Sequence, residues 1–172
     1  MPPSPELDDQ YSLAYEELRR LAATVLSGEP HASLSPTTLV HEVWLKLQGG
    51  RGVTAESELH FKRIAARAMR QVLIDAARRR RTTKHGAGLS IVAFDESIDA
   101  PVSTPDELLA LDGALDELAR AYPRQAEMIE SRYFAGLSVP ETAELLGVSI
   151  ATVNRDWRVA RAWLAAELRR AG

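Results

Sequence analysis

Apolar residues between Leu137 and Leu164 recur at intervals of three and four, and this helical pattern restarts once. The restart falls at Gly147-Val148-Ser149, between a short pattern and a longer one. Glycine favours the left-handed conformation that ends many helices, and serine is a strong N-cap. The stretch therefore predicts a short helix, a turn and a second helix, an arrangement that presents its second helix to the DNA major groove.

The first helix of this pair begins with the signature of a capping box. Ser138 is spaced to cap the backbone N–H of Glu141, whose side chain can reach back to the Ser138 backbone. Pro140 falls in the first turn, where a helix requires no backbone N–H. These residues predict a defined helix start.

The second helix of the pair has two unlike faces at about 100° per residue. The stripe predicted to pack inward consists of Val153, Trp157, Ala160 and Leu164. The opposite side carries Ala151, Asn154, Arg155 and Arg158, with Arg161 on its flank. An amphipathic core helix with a solvated basic face is the alternative interpretation. Because a small residue and basic residues directly follow the cap, we favour DNA contact.

The rest of the chain predicts further helices and no strand or internal repeat, so the expected class is all-α. Periodicity and capping signals predict helices over about 9–26, 36–48, 57–81, 105–121 and 123–136, after a frayed terminus at 1–8. Residues 87–104 combine a glycine, a proline and acids without a helical period, which predicts a flexible linker spanning roughly 25 Å. The expected domains are 9–86 and 105–170.

Large residues lie outside the apolar stripe of the helix predicted over 36–48. That stripe consists of Leu39, Val40, Val43 and Leu47. Trp44 and Leu45 fall beyond it, among His41, Glu42 and Lys46. Large aromatic residues are favoured anchors at interfaces, so a partner surface and burial on several sides are equally compatible with this pattern.

The net charge of −3 conceals a separation of basic and acidic segments. Residues 61–85 carry nine basic and one acidic side chain, and residues 148–172 carry five and two. Residues 1–60 and 86–147 have net charges of −5 and −9. Two basic segments in an acidic chain predict two separate contacts with nucleic acid.

The helix predicted over 57–81 carries most of the first basic segment. Arg63, Arg67 and Arg70 are expected close together on its exposed side. Its end carries Arg78, Arg79, Arg80 and Arg81, followed by Lys84 and His85. The helix dipole favours cations there by only about 0.3–1 kcal/mol, which does not require six of them. Phosphate binding is therefore preferred over a merely solvated face.

The residue pattern favours no catalytic centre, cofactor or metal site. The chain has no cysteine, and its four histidines lack metal-ligand spacing. No glycine-rich phosphate loop or nucleophile elbow occurs, and Asp75 and Asp156 are expected to be structural partners of nearby arginines. With neither a secretory leader nor an apolar run of membrane-spanning length, we expect a cytoplasmic protein that is not an enzyme and does not enter a membrane.

Three segments together resemble extracytoplasmic-function (ECF) sigma factors, the two-domain branch of the bacterial sigma-70 superfamily. Thr37–Leu47 is similar to the family's helix that docks on the clamp coiled coil of core RNA polymerase. His60–Gly86 is similar to the helix that meets the −10 promoter element and helps to open the duplex. Ser138–Leu164 is similar to the helix-turn-helix that reads the −35 element. The resemblance covers about residues 9–170, in the family's order.

The resemblance implies a role for each surface. It implies that core polymerase is contacted at its clamp coiled coil and flap. The residues that it implies for binding core polymerase are His41, Glu42, Trp44 and Leu45. For the −10 element and melted strands it implies Arg63, Arg67, Arg70, Arg78, Arg79, Arg80, Arg81 and Lys84. For the −35 element it implies Ala151, Thr152, Asn154, Arg155, Arg158 and Arg161. Promoter DNA and core polymerase are the implied partners, an anti-sigma factor is a further candidate, and no cofactor is implied because the polymerase supplies the chemistry.

The chain departs from the family pattern at the recognition helix. Asn154 stands where lysine is common and is able to pair with adenine. Asp156 stands where many members carry arginine, and Phe61 is the one aromatic residue near the base-capturing position. Two alternatives are a conventional helix-turn-helix regulator that acts without core polymerase and a protein-binding helical adaptor. The first leaves the basic helix at 60–85 and the Trp44 surface unassigned, and the second predicts that Arg155→Ala and Arg158→Ala leave promoter activity unchanged.

Overall fold

The computed structural model describes residues 5–25, 34–49, 55–82 and 105–171, and these form seven helices and no strand. The N-terminal helices are α1 (Pro5–Val25), α2 (Pro36–Gly49) and α3 (Glu58–Thr82). The C-terminal helices are α4 (Pro105–Ala121), α5 (Pro123–Ala135), α6 (Val139–Leu146) and α7 (Ile150–Ala171). The predicted all-α class is confirmed.

The helices begin where capping residues and prolines permit. The Ser35 hydroxyl oxygen accepts a 3.1 Å hydrogen bond from the Thr38 backbone N–H, with Pro36 in the first turn of α2. The predicted frayed terminus is wrong for residues 5–8, because α1 begins at Pro5. Proline fixes a helical φ and lacks only an N–H that the first turn does not use, so it suits this start.

The central helix is α3, which contacts α1 and α2 as well as α4, α5 and α6. Its buried residues include Phe61, Ala65, Met69, Leu73 and Ala77. The alanines leave room for neighbouring helices to approach closely, while the larger side chains fill the space between them. A helix in this position meets neighbours on more than one side, which explains why its polar residues are not all exposed.

The C-terminal helices pack around α7, which contacts α4, α5 and α6. The buried side chains of this half include Leu108, Leu115, Leu118, Met128 and Phe134. Residues 87–104, the predicted linker, lie outside the described residues, so the division into two domains remains a prediction. In the described part of the chain, α3 packs directly against α4 and α5. The N-terminal and C-terminal helices therefore share an interface.

Candidate nucleic-acid and polymerase-binding surfaces

The predicted helix-turn-helix is present, with its capping contacts formed. The Ser138 hydroxyl oxygen accepts from the Glu141 backbone N–H at 3.2 Å, and a Glu141 carboxylate oxygen accepts from the Ser138 backbone N–H at 2.8 Å. Gly147 adopts a left-handed conformation with φ of 64° between α6 and α7. Because this conformation costs other L-residues free energy, the glycine permits the sharp turn between the helices. The predicted capping box and glycine turn are confirmed.

The cap of α7 uses one of the residues predicted to contact the −35 element. The Ser149 hydroxyl accepts from the Thr152 backbone N–H at 3.1 Å and donates to the Thr152 hydroxyl oxygen at 3.0 Å. Thr152 is only partly exposed. Its hydroxyl is therefore part of the N-terminal cap in this structure.

The two predicted faces of α7 are confirmed. Val153, Trp157, Ala160 and Leu164 are buried. Ala151, Asn154, Arg155 and Arg158 are exposed, and Arg161 is partly exposed at the edge of this face. We call these five residues the outward face of α7. The small side chain at its start leaves space before the polar and basic ones, as close approach to a groove requires.

Contacts with α5 hold α7 in place behind the outward face. The Arg132 guanidinium lies 4.1 Å from the centroid of the Trp157 ring, in a cation–π contact. The Asp156 carboxylate accepts a 2.7 Å hydrogen bond from the Arg124 guanidinium at the start of α5. The prediction that Asp156 pairs with arginine is confirmed. Asp75 pairs with Arg78, which confirms the prediction that it partners a nearby arginine. It also pairs with Lys46, which was not predicted.

The cations predicted on the exposed side of α3 divide between two environments. Arg67 is exposed as expected, Arg63 is partly exposed, and the prediction is wrong for Arg70, whose side chain is only 12% exposed. Arg78, Arg79 and Arg81 are exposed and Arg80 is partly exposed, whereas Lys84 lies outside the described residues. The helical period of a sequence distinguishes polar from apolar positions. It does not show that neighbouring helices place acidic side chains against one polar side of α3.

Arg70 is surrounded by acids from α4 and α5. Its guanidinium donates to Asp112 Oδ1 at 2.8 Å, to Asp116 Oδ1 at 2.7 Å and to Glu130 Oε2 at 2.8 Å. It also donates to the Asp112 carbonyl oxygen at 2.9 Å. Burial lowers the pKa of Arg70, but hydrogen bonds and charge interactions with Glu130 and Asp112 outweigh it, so the pKa is raised. The guanidinium is therefore held as a cation between the two halves of the chain.

Further ion pairs join α3 to the C-terminal helices in the described part of the chain. Arg63 pairs with Glu127 at 2.7 Å, and Arg81 pairs with Asp106 at 3.3 Å. The buried Lys62 ammonium lies 3.6 Å from the Glu141 carboxylate, which also closes the capping box of α6. The hydrogen bond from the Ser138 backbone is the main cause of a lowered pKa at Glu141, with a smaller contribution from Lys62. The basic helix is thus connected to the helix-turn-helix through α6.

A cleft of 690 Å³ lies beside the Arg70 contacts, between α3 and the α4–α5 pair. Its α3 wall carries Arg67 and Arg78, and its opposite wall carries Asp116 and Glu127. The two walls therefore have opposite charge. A phosphate group that entered such a cleft would compete with the protein's own carboxylates for the same guanidinium groups.

The residues predicted to contact polymerase lie along α2. His41, Glu42 and Leu45 are exposed, with Leu45 at 59%. Trp44 is partly buried and packs against the core. Trp44 therefore contributes to the core, as the burial interpretation predicted, whereas contact of the exposed Leu45 with a partner stays a prediction.

Sequence reasoning missed two groups of residues at these surfaces. The acids around Arg70 were not identified, although Asp112 and Asp116 are four positions apart and so share one face of α4. Arg124 was not identified either, because it lies outside the helix-turn-helix and reaches α7 only through the packing of α5. Its position directly after Pro123, in the first turn of a helix, was the one local signal.

The described residues contain no group of three or more histidine or acidic side chains arranged to hold a metal ion. None of the described helices is both long enough and apolar enough to cross a membrane.

A family model described as "ECF sigma factor" matches residues 5–170, nearly the whole chain. No curated protein and no solved structure matches.

Proposed function

The chain belongs to the ECF sigma factor family, and we propose that it binds core RNA polymerase, directs it to promoters through their −10 and −35 elements, and assists strand opening. The family acts in promoter-specific initiation of transcription by RNA polymerase. In this proposal the polymerase supplies all catalysis, and the protein supplies binding and positioning.

The outward face of α7 is the observation that carries the proposal. It combines the short Ala151 side chain with Asn154, Arg155 and Arg158 on one exposed side of a helix held by a glycine turn. Arginine donates two hydrogen bonds to guanine in the major groove, and asparagine does so with adenine. We infer that this face reads the −35 element.

The exposed arginines of α3 support a second contact. Arg67, Arg78 and Arg79 are exposed along it, as a surface that tracks phosphates or unpaired strands requires. Arg63 and Arg70 instead pair with acids of α5 and α4 in this conformation. For these two to meet DNA, phosphates must replace the carboxylates, so we propose that α3 separates from α4 and α5 when the protein engages polymerase and promoter.

The exposed side of α2 is the proposed docking surface for core polymerase. Leu45 projects from it beside His41 and Glu42, while the partly buried Trp44 fixes the helix against the core. An exposed leucine among polar residues is suited to pack on a partner helix. Leu45→Ala is expected to weaken core binding without unfolding the protein.

Run-off transcription tests the proposal. Core polymerase supplemented with this protein is offered a library of promoter fragments, and the transcript starts are sequenced. We expect starts that share sequences at −35 and −10, and we expect them to be lost with Arg155→Ala and Arg158→Ala together. Arg169→Ala and Arg170→Ala, at the far end of the same helix, form the matched control. Strong DNA binding by the protein alone, without any binding to core, would support the conventional regulator instead.

A further inference from the structure

Asp156 is a buried carboxylate at the edge of the outward face of α7. The residue is 7% exposed, yet it directly follows the exposed Arg155 in the sequence. Burying a charge is costly unless it is paired and hydrogen-bonded. The partners that offset this cost are therefore central to how this part of α7 is built.

The two carboxylate oxygens of Asp156 serve different partners. Oδ2 accepts from the Arg124 guanidinium at 2.7 Å and from the Gln125 amide at 3.4 Å, both from α5. Oδ1 accepts from Nε and from one terminal nitrogen of Arg155, each at 3.3 Å. One carboxylate thus binds two guanidinium groups from different helices.

Both arginines remain accessible while they are held. The Arg155 side chain is 65% exposed and the Arg124 side chain is 47% exposed, whereas the Asp156 side chain is 10% exposed. The carboxylate therefore lies beneath the two cations. Two positive charges and one negative charge leave a net positive group at the surface.

Asp156 contacts one edge of the Arg155 guanidinium, and this contact determines which edge remains available to donate hydrogen bonds to a base. A guanidinium presents five N–H groups in a fixed plane. Asp156 accepts from the edge formed by Nε and one terminal nitrogen, which leaves the end edge, formed by both terminal nitrogens, directed away from the carboxylate. That end edge is able to donate two parallel hydrogen bonds to O6 and N7 of guanine.

We propose that Asp156 is a positioning residue for promoter recognition, which orients Arg155 toward a guanine of the −35 element and holds Arg124 of α5 as a phosphate contact from outside the helix-turn-helix. This inference rests on the proposed function of the outward face of α7. An arginine that is already oriented loses less side-chain freedom on binding than an unrestrained one.

The position of Arg124 fits a backbone contact better than a base contact. It lies in the first turn of α5, on the flank of α7 and not on its outward face. The partial positive charge of a helix N-terminus adds to that of the guanidinium, and both attract phosphate. Phosphate contacts fix the register of a protein on DNA without reading its sequence.

Base selection by the holoenzyme tests the role of Asp156. Core polymerase carrying the wild-type protein is allowed to select promoter fragments randomised at the −35 element. We expect one position to require guanine, and Arg155→Ala to abolish that requirement. Asp156→Asn is expected to reduce the preference for the same guanine about tenfold while leaving the other −35 positions and the −10 preference unchanged.

Ser138→Ala is the control for this selection. It weakens the same helix-turn-helix by removing the cap of α6 and contacts neither arginine. It is expected to retain the guanine preference. If Asp156→Asn selected the same bases as the wild type, or if Ser138→Ala changed the preference in the same way, the positioning role would be refuted.

The salt dependence of holoenzyme binding tests Arg124 independently, including the case in which Asp156→Asn fails to fold. Each phosphate contact contributes about −0.9 to the slope of log K against log salt. Arg124→Gln is expected to reduce the slope by about one contact and to leave base selection unchanged, whereas Arg170→Gln, an exposed cation at the end of α7, leaves the slope unchanged. An unchanged slope with Arg124→Gln would remove Arg124 from the interface.

These outcomes distinguish the inference from the proposed function. If the wild-type holoenzyme showed no sequence preference at −35, the proposed function itself would fail. If the preference existed and depended on Arg155 but not on Asp156, only the positioning role would fail.

Discussion

Arg70 of α3 and Glu130 of α5 are joined by a 2.8 Å hydrogen bond between a guanidinium nitrogen and a carboxylate oxygen. The two residues lie on opposite sides of the segment predicted to be a linker. Asp112 completes the partly buried part of the site, so that a cation of one half is surrounded by anions of the other. The stability of the described structure therefore depends on the positive charge of Arg70.

Arg70→Gln is expected to destabilise the protein by about 2 kcal/mol, because it leaves the partly buried carboxylates of Asp112 and Glu130 without their cation. The free energy of unfolding from urea titration measures the effect. Arg81→Gln is the matched control, since Arg81 pairs across the same interface with Asp106 but both side chains are exposed. Its expected cost is below about 1 kcal/mol. Equal losses from the two variants would contradict the special role of Arg70.

Acidification is expected to weaken the capping box of α6. The folded state holds the pKa of Glu141 below its ordinary value of 4.5, so the carboxylate contributes stability that is present above that pH and is lost as the pH falls through the folded pKa. Glu141→Gln should therefore be less stable than the wild type at neutral pH, and this difference should shrink in acid. Urea titrations of both proteins across the acidic range measure it. A difference that stayed constant with pH would exclude this linkage.

Tyr133→Phe is expected to stabilise the protein by about 1 kcal/mol at neutral pH, measured by thermal or urea unfolding. The Tyr133 hydroxyl is buried and has no hydrogen-bond partner among the described residues, so the substitution removes a desolvated polar group and keeps the ring. The ring also packs edge-on against Phe134. Tyr133→Ala, which removes that packing, should instead destabilise by about 3–5 kcal/mol, as for other large-to-small core changes.

The same tyrosine should make the wild type sensitive to alkali. Burial raises the pKa of Tyr133 from 10.0 to about 12. Between these values the unfolded chain loses the proton while the folded protein retains it, so the stability of the wild type falls as the pH rises. Tyr133→Phe should lack this part of the decline, and parallel curves for the two proteins would refute the cause.

Alanine substitutions at two glycines are expected to have opposite effects on the free energy of unfolding. Gly147 has φ of +64°, so Gly147→Ala introduces strain of about 1 kcal/mol although nothing lies within 4 Å of the added carbon. Gly113 lies within α4 and is equally open, so Gly113→Ala should stabilise by about 0.5–1 kcal/mol. Effects of the same sign would show that backbone conformation does not govern these sites.

Structural features that depend only on residues close together in the sequence were predictable. Ser138 and Glu141 are three residues apart, and a capping box requires only that spacing. The buried stripe containing Val153 and Trp157 was predictable for the same reason, since helical periodicity is local. The all-α class follows from repeating such predictions along the chain.

Features that depend on how helices pack were not predictable in the same way. Arg70 was expected to be exposed because it is charged and follows a basic stripe, but the positions of α4 and α5 determine its environment. The acids at Asp112 and Glu130 give it partners at a sequence separation of 42 and 60 residues. Periodicity within one helix contains no information about such distant partners, and Arg124 beside Asp156 is a further example.

The Lys62 ammonium of α3 contacts the Glu141 carboxylate, which closes the capping box of α6. This contact couples the position of α3 to the stability of the helix-turn-helix. Separation of α3 from α6 would remove this cation from beside Glu141 and change the free energy of the first turn of α6, the helix that packs against α7. If separation of α3 changes the affinity of α7 for a ligand, binding of that ligand at α7 changes the equilibrium for separation of α3 by the same factor. Under the proposed function, we therefore expect occupancy of the −35 element and engagement of the −10 element to be cooperative within a single chain, even though the two DNA segments do not touch.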